Sequence, residues 1–368
     1  MQLNARTIEG NKSSEIYVTA APTPGTDVKE QAAELFTSIS DVLDSKRARI
    51  LQERVFATKQ AIQIIRPIRA KAYGQFDDGV QPSWLVVPEG ANGQIAGVQL
   101  HAIVAGQNPE ILFSEGTACG RILHGHKWAY LTLSSVCSHA AGGAKQQARA
   151  MFEKAESILK QTGIDISSVP RTWIWLDDIL SWYDDLNTVR NQFFIERGLI
   201  GRSTTNKMPA STGIGIGTDN GAICAMDVAA LIGPDSSIEY LDAGGNQQSA
   251  FDYGSAFSRA SKAPTPAGTT VFVSGTASIA EDGKTMHVGD AEAQIETSIS
   301  NVQAVLREMG CADNDVVQCT AYSKTAEIEK LFCDKWSDLP WPNITAIAHI
   351  CREDLLFEIE ATAVVADY

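Results

Sequence analysis

Shifted against itself by 147 positions, the sequence repeats: Gln147 falls on Gln294, Leu159 on Leu306, Gly163 on Gly310 and Val169 on Val316. Both copies then enter a β-like run, TWIWL at 172–176 and CTAYS at 319–323. Upstream, ILFSEGTACG at 111–120 echoes VFVSGTASI at 271–279. Downstream the shift becomes 133, with Pro209 on Pro342 and AICAMDVAAL (222–231) on LLFEIEATAV (355–364). The chain therefore holds two copies of one supersecondary unit. The first copy is longer within about 177–208, where Leu180, Tyr183, Leu186, Val189 and Phe193 lay an apolar stripe at helical spacing.

The second copy reads most clearly. Val271-Phe272-Val273-Ser274 has the alternation of a strand, and the small residues Gly275, Thr276, Ala277 and Ser278 follow. Such a run marks close approach of backbone or ligand. After a turn at Asp282-Gly283, a helix is predicted from the spacing of Ile295, Ile299, Val302, Val305 and Leu306, with Gly310 as its stop. Ahead of the repeat the signals are weaker. Residues 1–30 read as a tail or edge segment, 27–58 as a helix, and 60–95 as short β-like runs, among them IQIIRPI and SWLVVP.

The copies differ where chemistry would sit. Under the 133 shift Glu360 matches Asp227, but Glu358 matches Ala225. A carboxylate present in one copy only, between Phe357 and Ile359, is a candidate functional acid; the alternative is an edge-strand Glu facing solvent. Burial among apolar neighbours would raise its pKa and keep a proton available near neutral pH.

With 44% hydrophobic and 20% charged residues, the composition is that of a globular protein. A net charge of -14 with no basic stripe argues against nucleic-acid binding, and an anionic ligand would need a locally positive pocket. Seven scattered cysteines with no CxxC pair suggest a reducing compartment, and neither a zinc site nor a disulfide framework is expected. MQLNARTIEG does not read as a secretory signal, and no apolar run is long enough for a membrane span. A cytoplasmic location is the expectation.

The strand, turn and helix of 270–310, with Gln294 and Asn301 in the helix and LLFEIEATAV at the end, resemble the YjgF/RidA family. Within it, VSGTASI followed by HVGDAEAQIETSISNVQAVL, ICREDLLFEIE at 350–360 and PASTGIG at 209–215 resemble the chorismatases. The resemblance implies an α/β (α+β) fold with two tandem YjgF/RidA-like, chorismate-mutase-like domains. Their bounds are 95–234 and 235–368, behind an N-terminal extension over 1–94. The family fold normally forms trimers with sites between adjacent sheets, so either a homotrimer or a monomer imitating that ring is expected.

The same resemblance implies an enzyme that needs no metal or cofactor and cleaves the enolpyruvyl ether of chorismate. Pyruvate would leave, with either a hydroxybenzoate or a dihydroxycyclohexadiene carboxylate as the ring product. It makes Glu358 the proton donor, and Cys351, seven residues earlier, the mark of the 3-hydroxybenzoate-forming branch. Two substrate carboxylates call for guanidinium partners. Arg259 is the first candidate, then Arg202 and Arg190, with Ser211, Thr212 and Gly213 offering hydroxyl and backbone N–H groups. Each lone Arg has a surface or interdomain salt bridge as its alternative. DYGSAFSRA departs from the chorismatase pattern, which carries two prolines before the Arg-Ala pair. The competing readings are a RidA-like enamine/imine deaminase and a non-catalytic binding member of the fold. The deaminase reading is weakened by Asn343, which stands where that family places its carboxylate-clamping Arg.

Overall fold

The computed structural model describes every residue except 26, 140–141, 201–205, 234–237, 245–246 and 367–368. The first sheet uses β1 (Gln2–Glu9), β2 (Ser14–Ala21), β3 (Arg49–Ala57), β4 (Ser83–Val86) and β5 (Ile95–Val104) in the order β1-β2-β5-β3-β4. Helices α1 (Val28–Lys46) and α2 (Lys59–Tyr73) connect β2 to β3 and β3 to β4. Strands β3 and β4 are parallel and the other neighbours antiparallel. A parallel pair requires a crossover, and α2 supplies it.

The same order recurs twice. The second sheet joins β6 (Glu110–Ser114), β7 (Thr117–Gly125), β8 (Trp128–Cys137), β9 (Arg171–Leu176), β10 (Ala210–Ile214) and β12 (Cys224–Ile232), with α3 (Ala144–Gln161) and α4 (Ile179–Glu196). Its β11 (Gly217–Thr218) leaves to pair with β4 at the edge of the first sheet. The third sheet joins β13 (Glu239–Leu241), β14 (Ala260–Thr265), β15 (Gly268–Ala277), β16 (Val316–Ser323), β17 (Asn343–Ile347) and β18 (Phe357–Ala366), with α5 (Ala291–Glu308) and α6 (Ala326–Lys335).

The α/β class stands as read from the sequence. Residues 1–94, expected as an extension, form with β5 a third unit of the same strand order. A boundary at 94 would cut off β5, which lies between β2 and β3 in that sheet. Residues 2–21 are a β-hairpin rather than a tail. The helix expected over 27–58 ends at Lys46. Arg47 adopts a left-handed conformation and returns its N–H to the Asp44 and Leu43 carbonyls, which frees 49–57 to become β3. IQIIRPI is helical. Thr58 caps the Ala61 N–H, and Ala61, Ile62, Ile65 and Arg69 are buried at helical spacing despite Pro67.

Each sheet is covered on its outer face by its own two helices, giving three apolar cores. A fourth core forms where the three sheets meet, with Phe56, Tyr130, Trp173, Phe272 and Tyr322 among its members. Carboxylates in two of the three units tie these sheets together. Asp227 accepts from Arg54 Nε at 2.8 Å and Ser83 Oγ at 2.5 Å in the first unit. Its counterpart Glu360 accepts from Arg171 and Thr212 in the second unit and from the Tyr322 hydroxyl at 3.1 Å in its own.

Candidate active site

Strand periodicity sets the site. Phe357 and Ile359 are fully buried against α5 and α6. Glu358 and Glu360, two apart, therefore share the opposite face, which looks onto the second unit. Ala277 pairs with Glu358, and the β15–β18 register slips between Val273 and Thr276. Gly275 lies in that slip beside the acid. A Cβ on it would stand 2.0 Å from Glu358 Oε1, so only glycine leaves room for the carboxyl. The Gly275 N–H donates to Thr212 Oγ1 at 3.0 Å, fixing the strand against β10.

Glu358 is 5% exposed. Burial pushes its pKa up to about 8; the neighbouring Glu360 adds to this, and Arg171 and Arg259 oppose it. The carboxyl is thus mostly protonated at neutral pH.

Glu358, Cys351, Arg259, Arg190, Ser211 and Gly213 line one cleft between the second and third units. The Arg259 guanidinium is held by the Gln248 carbonyl at 2.9 and 3.2 Å and by the Tyr253 hydroxyl at 2.6 Å. Arg190 donates to Asn187 Oδ1 at 2.6 Å and lies over the Phe257 ring at 5.4 Å, while its buried Nε has no partner. The Cys351 thiol is pushed up to about 12 by burial, with Glu358 adding to the effect, so it stands as a neutral thiol.

Two expected contacts are already taken. The Ser211 N–H donates to Ser274 Oγ at 2.8 Å, and its hydroxyl accepts from Thr172 at 3.0 Å. Thr212 turns its hydroxyl to Glu360 instead of the cleft. Arg202 lies outside the described residues. Asn343 bonds the Trp341 carbonyl at 2.9 Å and is not among the residues lining the Glu358 cleft.

The sequence reading missed several cleft residues. Tyr183 on α4 was read only as part of an apolar stripe; its hydroxyl is pushed up to about 12 by burial. Tyr253 sits in the divergent DYGSAFSRA stretch and braces Arg259. Arg352 donates to the Gly283 carbonyl at 2.7 Å and lies 5.5 Å from the Tyr253 ring centre. The signal for Arg352 was its place beside Cys351. Arg171 was missed as well. Its position at the head of an otherwise apolar strand was the available hint, because such a charge needs a buried partner.

The cleft therefore combines one protonated acid with three guanidinium groups, the local positive charge that an anionic ligand requires in this acidic chain. It is narrow, with a free volume of about 40 Å³. That is well below the roughly 300–1,000 Å³ of small-molecule sites.

Comparison with known proteins agrees with the fold. Residues 248–365 match the family model described as Endoribonuclease L-PSP. A RutC family protein of Pyrococcus abyssi is 28% identical over 100 residues, covering 26% of this chain and 79% of the relative. A crystal structure of a chorismatase superposes with a TM-score of 0.58 at 17% identity, covering 98% of this chain and all of that one. The YjgF gene product of E. coli is similar at 20% identity, covering 34% of this chain and 98% of that one with a TM-score of 0.27. The fold of the chain, including its first 94 residues, is thus similar to that of a chorismatase.

Proposed function

We propose that the protein cleaves the enolpyruvyl ether of chorismate, with Glu358 as the proton donor. The observation that carries this reading is the buried carboxyl of Glu358, raised to about 8, in a cleft lined by Arg190, Arg259 and Arg352. The whole-chain likeness to a chorismatase supports it.

Glu358 would give its proton to the enolpyruvyl methylene carbon, leaving an oxocarbenium centre at the ether carbon. Capture of that centre by water, followed by C–O cleavage, gives pyruvate and a dihydroxycyclohexadiene carboxylate. Without net uptake of water, chorismate divides into pyruvate and a hydroxybenzoate. The guanidinium groups hold the two substrate carboxylates and orient the ether toward the acid. Closure around the substrate would keep water out and strengthen each of these interactions.

Cys351 is a neutral neighbour of the acid in this scheme. It shapes the space beside Glu358 and so biases which group traps the cation, with 3-hydroxybenzoate the favoured product. With about 40 Å³ free, the cleft is smaller than chorismate, so binding in this scheme would move the walls from α4 and from 253–259 apart. Incubation with chorismate alone, with pyruvate and the ring product followed by mass spectrometry, tests the proposal. The two ring products differ by one water, and a Cys351→Val variant reports the role of the thiol through their ratio. No pyruvate from the wild type would end the reading.

A further inference from the structure

An acid that works by giving up a proton has to hold it until the substrate arrives, and the charges lining the Glu358 cleft act against that. Arg190 on α4, Arg259 ahead of β14 and Arg352 ahead of β18 all line it, and positive charge favours the ionised carboxyl. Tyr183, Tyr253 and Cys351, the other titratable groups of the lining, are pushed up by burial and stand neutral. Among the described residues no second carboxylate lines the cleft. The one that adjoins it is Glu360. It stands two residues along β18 on the same strand face, a spacing of about 6.5 Å along the strand.

We propose that Glu360 is a positioning residue for the acid, its fixed negative charge holding the proton on Glu358 against the guanidinium groups. The inference rests on Glu358 as the proton donor of the proposed reaction. Glu360 Oε2 accepts from Arg171 Nη2 and Thr212 Oγ1, and Oε1 accepts from the Tyr322 hydroxyl at 3.1 Å. Its oxygens act only as acceptors, the pattern of an ionised carboxylate. Donors from β9, β10 and β16 fix its orientation. Glu358 and Glu360 are each 5% exposed, so little water screens one carboxyl from the other. Burial is the larger cause of the raised Glu358 titration, and Glu360 is the next. The Thr212 hydroxyl also accepts the Gly275 N–H at 3.0 Å, so the strand that makes room for the Glu358 carboxyl is tied to the same group. In the second unit Asp227 takes the corresponding Ser135 N–H itself, at 2.8 Å. Ala225 stands there in place of the acid, and no proton has to be held.

Carbon-13 NMR titration of the full chain, labelled at its Glu carboxyls, reads the proton directly and without chorismate. The Glu358 signal is identified by its loss in Glu358→Gln. Glu360→Gln keeps the size and an acceptor oxygen for Thr212 but removes the charge. Losing the anion and leaving Arg171 unpaired both favour ionisation, so the Glu358 transition should fall by about one unit or more. The alkaline limb of pyruvate release should move with it. Thr212→Val removes a hydrogen bond and no charge, and should leave the transition within about half a unit of wild type. If Glu360→Gln does not fold, Arg171→Gln and Arg171→Gln/Glu360→Gln carry the same comparison, the double variant having the lower transition. An unmoved transition on loss of the Glu360 charge would overturn the proposal, as would an equal fall in Thr212→Val. A lowered transition in a chain whose wild type releases no pyruvate would uphold the coupling of the two carboxyls and end only the chorismate reading.

Discussion

A carboxyl group buried at 5% exposure in a folded chain is held there at a cost, and Glu358 lets that cost be measured. Its folded pKa, about 8, lies above its unfolded value near 4.5. Between those two values the folded state keeps a proton that the unfolded state has lost, so stability falls as pH rises across that window. Glu358→Gln removes the titration. It should therefore be more stable than wild type, by about 4 kcal/mol at pH 8 and by little at pH 4, as read from thermal unfolding at both pH values. The same pKa sets the activity profile of the proposed reaction. Turnover should be level below pH 8 and fall about tenfold per unit above it, and a profile that rises above pH 8 would contradict Glu358 as an acid. Gly275 makes a separate prediction. A methyl group at that position meets the carboxyl at 2.0 Å, and the Thr212 methyl at 3.1 Å bars retreat in that direction. Gly275→Ala should lower kcat by about a hundredfold by displacing the acid, while KM changes less.

At the scale of elements, the legible parts were those in which one kind of burial governs a whole segment. The strand and helix of 271–310 could be read because their apolar positions keep period two and then period 3.6 without interruption. Glu358 stood out because the repeat set it against Ala225, and the structure places them opposite the ends of β15 and β8 respectively. Helix α2 was not legible. Its buried face includes Arg69, whose guanidinium pairs with Glu53 at 2.6 Å, and this charge interrupts the apolar stripe while four isoleucines and Pro67 imitate a strand. The roles of Ser211 and Thr212 were hidden for a similar reason, since their partners, Ser274 and Glu360, come from distant segments. Helix α4 carries Arg190 and Tyr183 into the cleft and has a non-helical residue at Trp182. Arg259 sits just before β14, where Arg259→Lys would lose the planar fork that grips a carboxylate. In steady-state assays this variant should show a KM for chorismate raised about tenfold.

At the scale of the molecule, three α/β units close on one another around a shared core. The first unit escaped the sequence comparison because strand order survives without side-chain identity. The second and third units keep a carboxylate at one strand position, Asp227 and Glu360. The Arg54–Asp227 and Arg171–Glu360 pairs join successive units whether or not an acid stands beside them, so they are ties of the assembly before they are parts of a site. Asp227→Ala would leave Arg54 buried and uncompensated. It should cost about 3–5 kcal/mol in denaturant unfolding, although Asp227 lies outside the Glu358 cleft. A loss below about 1 kcal/mol would mean that the units are held by apolar packing alone.

The most direct test of the central claim is a comparison of wild type with Glu358→Gln on chorismate at pH 7, with pyruvate release followed over time. The account predicts pyruvate from the wild type and a rate at least about a hundredfold lower from the variant, which keeps its fold and its grip on the substrate. Equal rates from both would remove Glu358 from the chemistry, and no pyruvate from either would remove chorismate as the substrate.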